Sequence, residues 1–134
     1  MQVEPYLFFE GRCDEALEFY RRALGAEVTM LMRYRESPDP AMHPPGAEDK
    51  VMHANLRIGN TTIMASDGRC EGPVAFQGFA LSLSLTDKEE AQRFFAALSK
   101  EGQIQMPLSE TFFSPLFGMV EDRFGVLWMI NVMA

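Results

Sequence analysis

EALEFYRRAL, at Glu15–Leu24, returns as EEAQRFFAAL at Glu89–Leu98, and this echo decides the fold. Glu15-Ala16 matches Glu90-Ala91 and Phe19-Tyr20 matches Phe94-Phe95 at one constant offset. Ahead of each copy stands an apolar, strand-like run, VEPYLFF from Val3 and FALSLSL from Phe79. Behind each copy come a glycine-containing break and three further strand-like runs. Self-similarity on this scale means a repeated structural unit. The chain therefore reads as α+β, with two βαβββ modules: residues 1–67, a linker at 68–77, and residues 78–134.

Within the first module, Ala16, Leu17, Phe19, Tyr20, Ala23 and Leu24 fall on one helical face, with Asp14 as a possible N-cap and Gly25 as the stop. Val3–Phe9, Val28–Tyr34, Val51–Ile58 and Thr61–Ser66 read as strands, the last two joined as a hairpin across Gly59-Asn60. Ser37–Lys50 holds four prolines and a glycine, so a long loop is expected there. In the second module Phe79–Leu85 alternates, Asp87 caps a helix over Lys88–Lys100, and Gly102 ends it. Ile104–Phe113, Leu116–Val120 and Val126–Val132 supply its remaining strands.

A chain of 134 residues with 47% hydrophobic residues can bury one domain's core. No apolar run approaches the roughly 20 residues of a membrane span, and no leader-like segment opens the sequence. A cytoplasmic protein without a membrane partner is expected. Net charge −7, with scattered Lys and Arg, argues against nucleic acid. Cys13 and Cys70 read as reduced thiols, and with His43 and His53 they show no zinc-site spacing.

PYLFFEG at Pro5–Gly11, EALEFYRRALGAE at Glu15–Glu27, HANLRIGN at His53–Asn60, MASD at Met64–Asp67 and EDRFGVLWMIN at Glu121–Asn131 closely resemble the PhnB-like branch of the vicinal oxygen chelate superfamily. That superfamily includes glyoxalase I, extradiol dioxygenases and bleomycin-resistance proteins. The resemblance implies mixed sheets curled around a concave cavity, with the helices on the convex side. By alternation Tyr6 and Phe8, with Ile63, Ala65, Leu81, Leu83, Leu85, Trp128, Ile130 and Val132, are then expected toward the helices. Leu7, Phe9, His53, Asn55, Arg57, Met64, Ser82, Ser84 and Met129 are expected to line the cavity.

The superfamily's metalloenzymes draw one His, Gln or Glu from the first and last strand of each module. Those positions align with Pro5, Met64, Ala80 and Met129, none of which supplies a hard donor. No metal and no cofactor are expected, and glyoxalase I or dioxygenase chemistry, which needs an open metal position, is set aside. Branch members also carry a methyltransferase label; no glycine-rich strand-to-helix turn supports it. The resulting expectation is a metal-independent binder of a small, partly apolar molecule, with Arg57 available to a ligand carboxylate. The alternative is an isomerase or lyase using His53 or Glu110 as the acid–base group. A homodimer is expected, as is common among such proteins, with the Ser37–Lys50 loop reaching the partner. Asp67 and Asp122, at strand ends, are expected to fix turns through backbone contacts.

Overall fold

The computed structural model describes residues 1–39, 44–70 and 72–134. The chain divides into two compact units, Met1–Val74 and Ala75–Ala134. In the first, the order is β1 (Tyr6–Phe8), α1 (Cys13–Leu24), β2 (Glu27–Arg33), β3 (Val51–Ile58) and β4 (Thr61–Ser66), with a short 3-10 turn at Tyr34–Glu36. In the second, it is β5 (Leu81–Leu85), α2 (Lys88–Ser99), β6 (Gln103–Ser109), β7 (Leu116–Glu121) and β8 (Leu127–Val132). Each unit is thus one βαβββ module.

The strand orders are β1-β4-β3-β2 and β5-β8-β7-β6, so the second module repeats the first. Each sheet has one parallel pair, β1 with β4 or β5 with β8, and two antiparallel pairs. The expected curling around a concave cavity is corrected here. Each sheet is open, with β1 and β2, or β5 and β6, as its unjoined edges. Four strands are too few to close around space of their own; roughly eight are needed before an interior holds even side chains.

One face of each sheet is covered by its helix. In the first module Ala16, Leu17, Tyr20 and Leu24 of α1 are buried together with Leu7, Phe9, Ala54, Leu56, Ile63 and Ala65. The rings of Phe9 and Tyr20 lie 6.2 Å apart, which fixes Phe9 on the helix side. In the second module Ala91, Phe95 and Leu98 of α2 are buried together with Val120, Trp128, Ile130 and Val132. A Cβ on Gly118 would stand 2.9 Å from the Phe95 ring, so the bare glycine gives that ring its seat. Each buried Leu, Ile, Val or Phe contributes about 1.5–3 kcal/mol relative to exposure. These two faces hold the modules together.

The helix ends show how local signals and distant groups share the work. Asp87 caps α2, accepting from the N–H groups of Glu89 and Glu90. Gly25 closes α1 in the left-handed region at φ 68°. Asp14 does not cap α1; its carboxylate takes both Nη groups of Arg33 at 2.9 Å. The cap comes instead from Asp67, at the end of β4. One of its oxygens accepts from the N–H groups of Gly11 (2.9 Å) and Cys13 (2.7 Å), the other from that of Val51 (2.8 Å). Asp122 does similar work at the β7–β8 turn, accepting from the N–H groups of Phe124 and Val126 and from the Trp128 indole.

The described parts of the proline-rich loop run back along the first module. Ala47 is buried and the Lys50 ammonium donates to the Gly11 carbonyl at 3.0 Å. His43 and its neighbours from Pro40 lie outside the described residues.

Candidate functional site

The face of the first sheet opposite α1 carries the polar groups. Register and burial decide which residues belong to it. Ala54 and Leu56 are buried toward the helix, so His53, Asn55 and Arg57 take the other face of β3, as the alternation predicts. Asn55 stands across from Met30 on β2 and Met64 on β4, and Met64 in turn from Tyr6 on β1. Met32 lies across from His53. Cross-strand partners share a face.

This register corrects the reading of β1. Leu7 and Phe9, expected beside the polar groups, are 2% and 1% exposed in the helix-packed core, and Leu7 pairs with buried Ala65. Tyr6 and Phe8 stand on the open face in their place, 36% and 51% exposed. The run Tyr6-Leu7-Phe8-Phe9 is apolar throughout, so alternation carries no phase there. The legible hint is tyrosine itself, whose polar tip favours a position with one end wet.

Tyr6 and His53 meet, with Tyr6 Oη 2.9 Å from His53 Nδ1. On the other side of the imidazole, Nε2 lies 2.8 Å from Asn55 Oδ1. An amide oxygen can only accept, so His53 Nε2 carries a hydrogen, and in the tautomer with its hydrogen on Nε2 the Nδ1 atom accepts from the Tyr6 hydroxyl. Burial pushes the Tyr6 phenol above its ordinary pKa, and hydrogen bonding from Ser66 only partly opposes this. Tyr6 is therefore held as a phenol. The ring of Phe8 lies 5.0 Å from that of Tyr6, and the imidazole 5.4 Å. A polar row of Tyr6, His53 and Asn55 thus sits among Phe8, Met30, Met32 and Met64. Apolar surroundings with a few convergent polar groups are the usual makeup of a small-molecule site.

The other sequence candidates separate from this cluster. The Arg57 guanidinium is ion-paired with Glu27, its cross-strand partner, so its fork is engaged inside the protein. Glu110 lies exposed just beyond the end of β6. Ser82, Ser84 and Met129 belong to the second module: Ser82 pairs with Met129 and Ser84 with Asn131, on the face away from α2. The base role considered for His53 meets an obstacle, since both ring nitrogens have protein partners. Neither cysteine is poised as a nucleophile. Burial first, then the charge of Asp67, pushes the Cys13 thiol far above its usual range, and burial raises Cys70 as well. The hollow lined by Asp14, Arg33, Arg35, Glu36 and Asp49 is occupied by mutual ion pairs of both signs.

The residues present do not fit a divalent metal. On the first and last strands, Met64 pairs with Tyr6 and Met129 with Ser82, Tyr6 directly following the aligned Pro5 and Ser82 lying just beyond the aligned Ala80. Taken module by module, a phenol beside a thioether and a hydroxyl beside a thioether are each poor donors for hard or borderline divalent ions. Among the described residues no three His, Cys, Asp or Glu side chains gather into a metal-binding group. No helix of the described chain is long and apolar enough to cross a membrane.

A family model described as 3-demethylubiquinone-9 3-methyltransferase matches residues 1–131. Protein YjdN of Escherichia coli (strain K12) is 40% identical over 98% of this chain and 95% of its own length. A Pseudomonas aeruginosa protein of known structure is 41% identical, covering 99% of this chain and 98% of that one, with a TM-score of 0.88. The Bacillus cereus PhnB protein is 29% identical over 98% and 99% of the two chains, with a TM-score of 0.83.

Proposed function

The chain belongs to the family described as 3-demethylubiquinone-9 3-methyltransferase, the PhnB-like branch of the vicinal oxygen chelate superfamily, and we propose that its ligand site is the Tyr6–His53–Asn55 face of the first module. It is a small-molecule-binding protein of that fold, and the strand positions that hold metal elsewhere in the superfamily carry no suitable donors. The observation that carries the placement is the paired contact of His53, to the Tyr6 hydroxyl at 2.9 Å and to Asn55 Oδ1 at 2.8 Å, amid thioether and phenyl surface.

The ligand we infer is small, partly apolar and uncharged. Arg57, the nearest candidate for a carboxylate, is already neutralised by Glu27, and a net charge of −7 disfavours anions at long range. We read the methyltransferase description as a family label. The helix N-terminus after β1, where an anionic group of a nucleotide would be held, is taken up by the chain's own Asp67 carboxylate. We further propose that the protein is a homodimer. Each sheet has open edges, and Val28, Met30 and Leu31 on β2 and Ile104 and Met106 on β6 expose apolar surface that soluble proteins tend to cover.

Native mass spectrometry of the freshly purified protein tests these points together. The expected result is a dimer that carries a small organic adduct, lost in Tyr6→Ala, and no stoichiometric metal. An adduct retained in Tyr6→Ala would move the site elsewhere. One metal ion per chain would overturn the donor reading, and a 15.1 kDa monomer at micromolar concentration would overturn the assembly.

A further inference from the structure

The hydrogen bonds around His53 all run in one direction. Tyr6 Oη–H donates to His53 Nδ1, and His53 Nε2–H donates to Asn55 Oδ1. The series begins at the Tyr6 hydroxyl and ends at the Asn55 carboxamide. Its Nδ2 carries two hydrogens, which meet no partner among the described residues. Successive hydrogen bonds in a low-dielectric setting polarise one another. The last donor in such a row is strengthened by every bond behind it.

We infer that Asn55 Nδ2 is the point of polar recognition, and that the ligand is an aromatic or conjugated carbonyl compound whose oxygen accepts from it. This inference rests on the site proposed above. The register supplies the rest of the ligand's description. Asn55 stands directly between Met30 and Met64 across the sheet, so a body attached to that carbonyl lies against two thioethers. Sulfur is polarizable and makes favourable contacts with aromatic rings at about 5 Å. Tyr6 acts as a positioning residue, holding the His53 ring and through it the orientation of the Asn55 amide.

A matched pair of probes tests this. Acetophenone carries the acceptor and an aromatic ring; ethylbenzene keeps the ring and lacks the oxygen. Titrations followed by the Asn55 side-chain amide and the Met30 and Met64 methyl resonances should show acetophenone binding about tenfold tighter, the value of one hydrogen bond. Asn55→Asp retains an acceptor for His53 Nε2–H and deletes both donors, so the preference should vanish in a folded protein. Tyr6→Phe leaves Asn55 untouched and should reduce the preference several-fold while the Met methyl shifts persist. A role in packing alone would leave that preference intact in Tyr6→Phe. Equal binding of the two probes at this face would overturn the acceptor assignment and leave the site standing. Binding of neither would overturn both.

Discussion

Asp67→Ala should unfold the first module or bring it close to unfolding. The carboxylate is fully buried and accepts from three backbone N–H groups, those of Gly11, Cys13 and Val51. Alanine leaves all three without an acceptor, and each buried, unsatisfied donor costs roughly 1–3 kcal/mol. Even at the low end the loss is on the order of 3–5 kcal/mol, against about 5–15 kcal/mol for a whole domain. These donors belong to the β1–α1 turn, the start of α1 and the start of β3, so one side chain ties three elements together. Asp67→Asn should be intermediate. Its carbonyl oxygen can still serve Gly11 and Cys13, but its amide nitrogen meets the Val51 N–H donor to donor. Urea denaturation of the three proteins should rank them native, Asn, Ala. An alanine variant within about 1 kcal/mol of the native protein would show that water or a rearranged turn replaces the carboxylate.

That cap also marks where sequence reading stops. β3 and β4 are bounded in the structure as the sequence predicts, because β-branched runs flank a Gly59-Asn60 turn in which Gly59 takes φ 58°. Asp87 is legible as a cap because its N–H partners lie two and three residues on. Asp67 caps a helix more than fifty residues away, and no local pattern encodes that reach. The β1 run fails for a different reason. An uninterrupted apolar strand has no phase, so Leu7 and Phe9 trade faces with Tyr6 and Phe8, and the contact of the Tyr6 phenol with His53 goes unseen. The partner of Arg57 needed register: once β2 and β3 pair, Glu27 stands across from it. The shared sheet face of His53, Asn55 and Met64 is readable because β3 and β4 alternate. The open form of each sheet was not, since strand content alone does not say whether edges join.

Gly102→Ala should cost about 3 kcal/mol or more, well beyond what an ordinary turn glycine is worth. The sequence presents Gly102 as a helix stop, but α2 already ends at Ser99 and Glu101 takes the left-handed conformation at φ 62°. The glycine is needed for space. A Cβ there would stand 2.2 Å from the Glu121 carbonyl oxygen and 3.1 Å from Asp122 Cα, both backbone atoms. Overpacking against side chains costs about 1–3 kcal/mol because they can turn aside; a strand backbone cannot. Glu121 pairs with Gln103 where β6 meets β7, and Asp122 next to it holds the β7–β8 turn and the Trp128 indole. Any shift that relieves the clash is therefore carried into the core beneath α2. Gly25→Ala is the matched control. It sits at φ 68° with nothing within 4 Å of a new Cβ, so it feels only backbone strain of about 1–2 kcal/mol. Chemical denaturation should place Gly102→Ala clearly below Gly25→Ala in stability. Equal losses would mean that the 121–122 backbone yields freely, and that the glycine serves the turn alone.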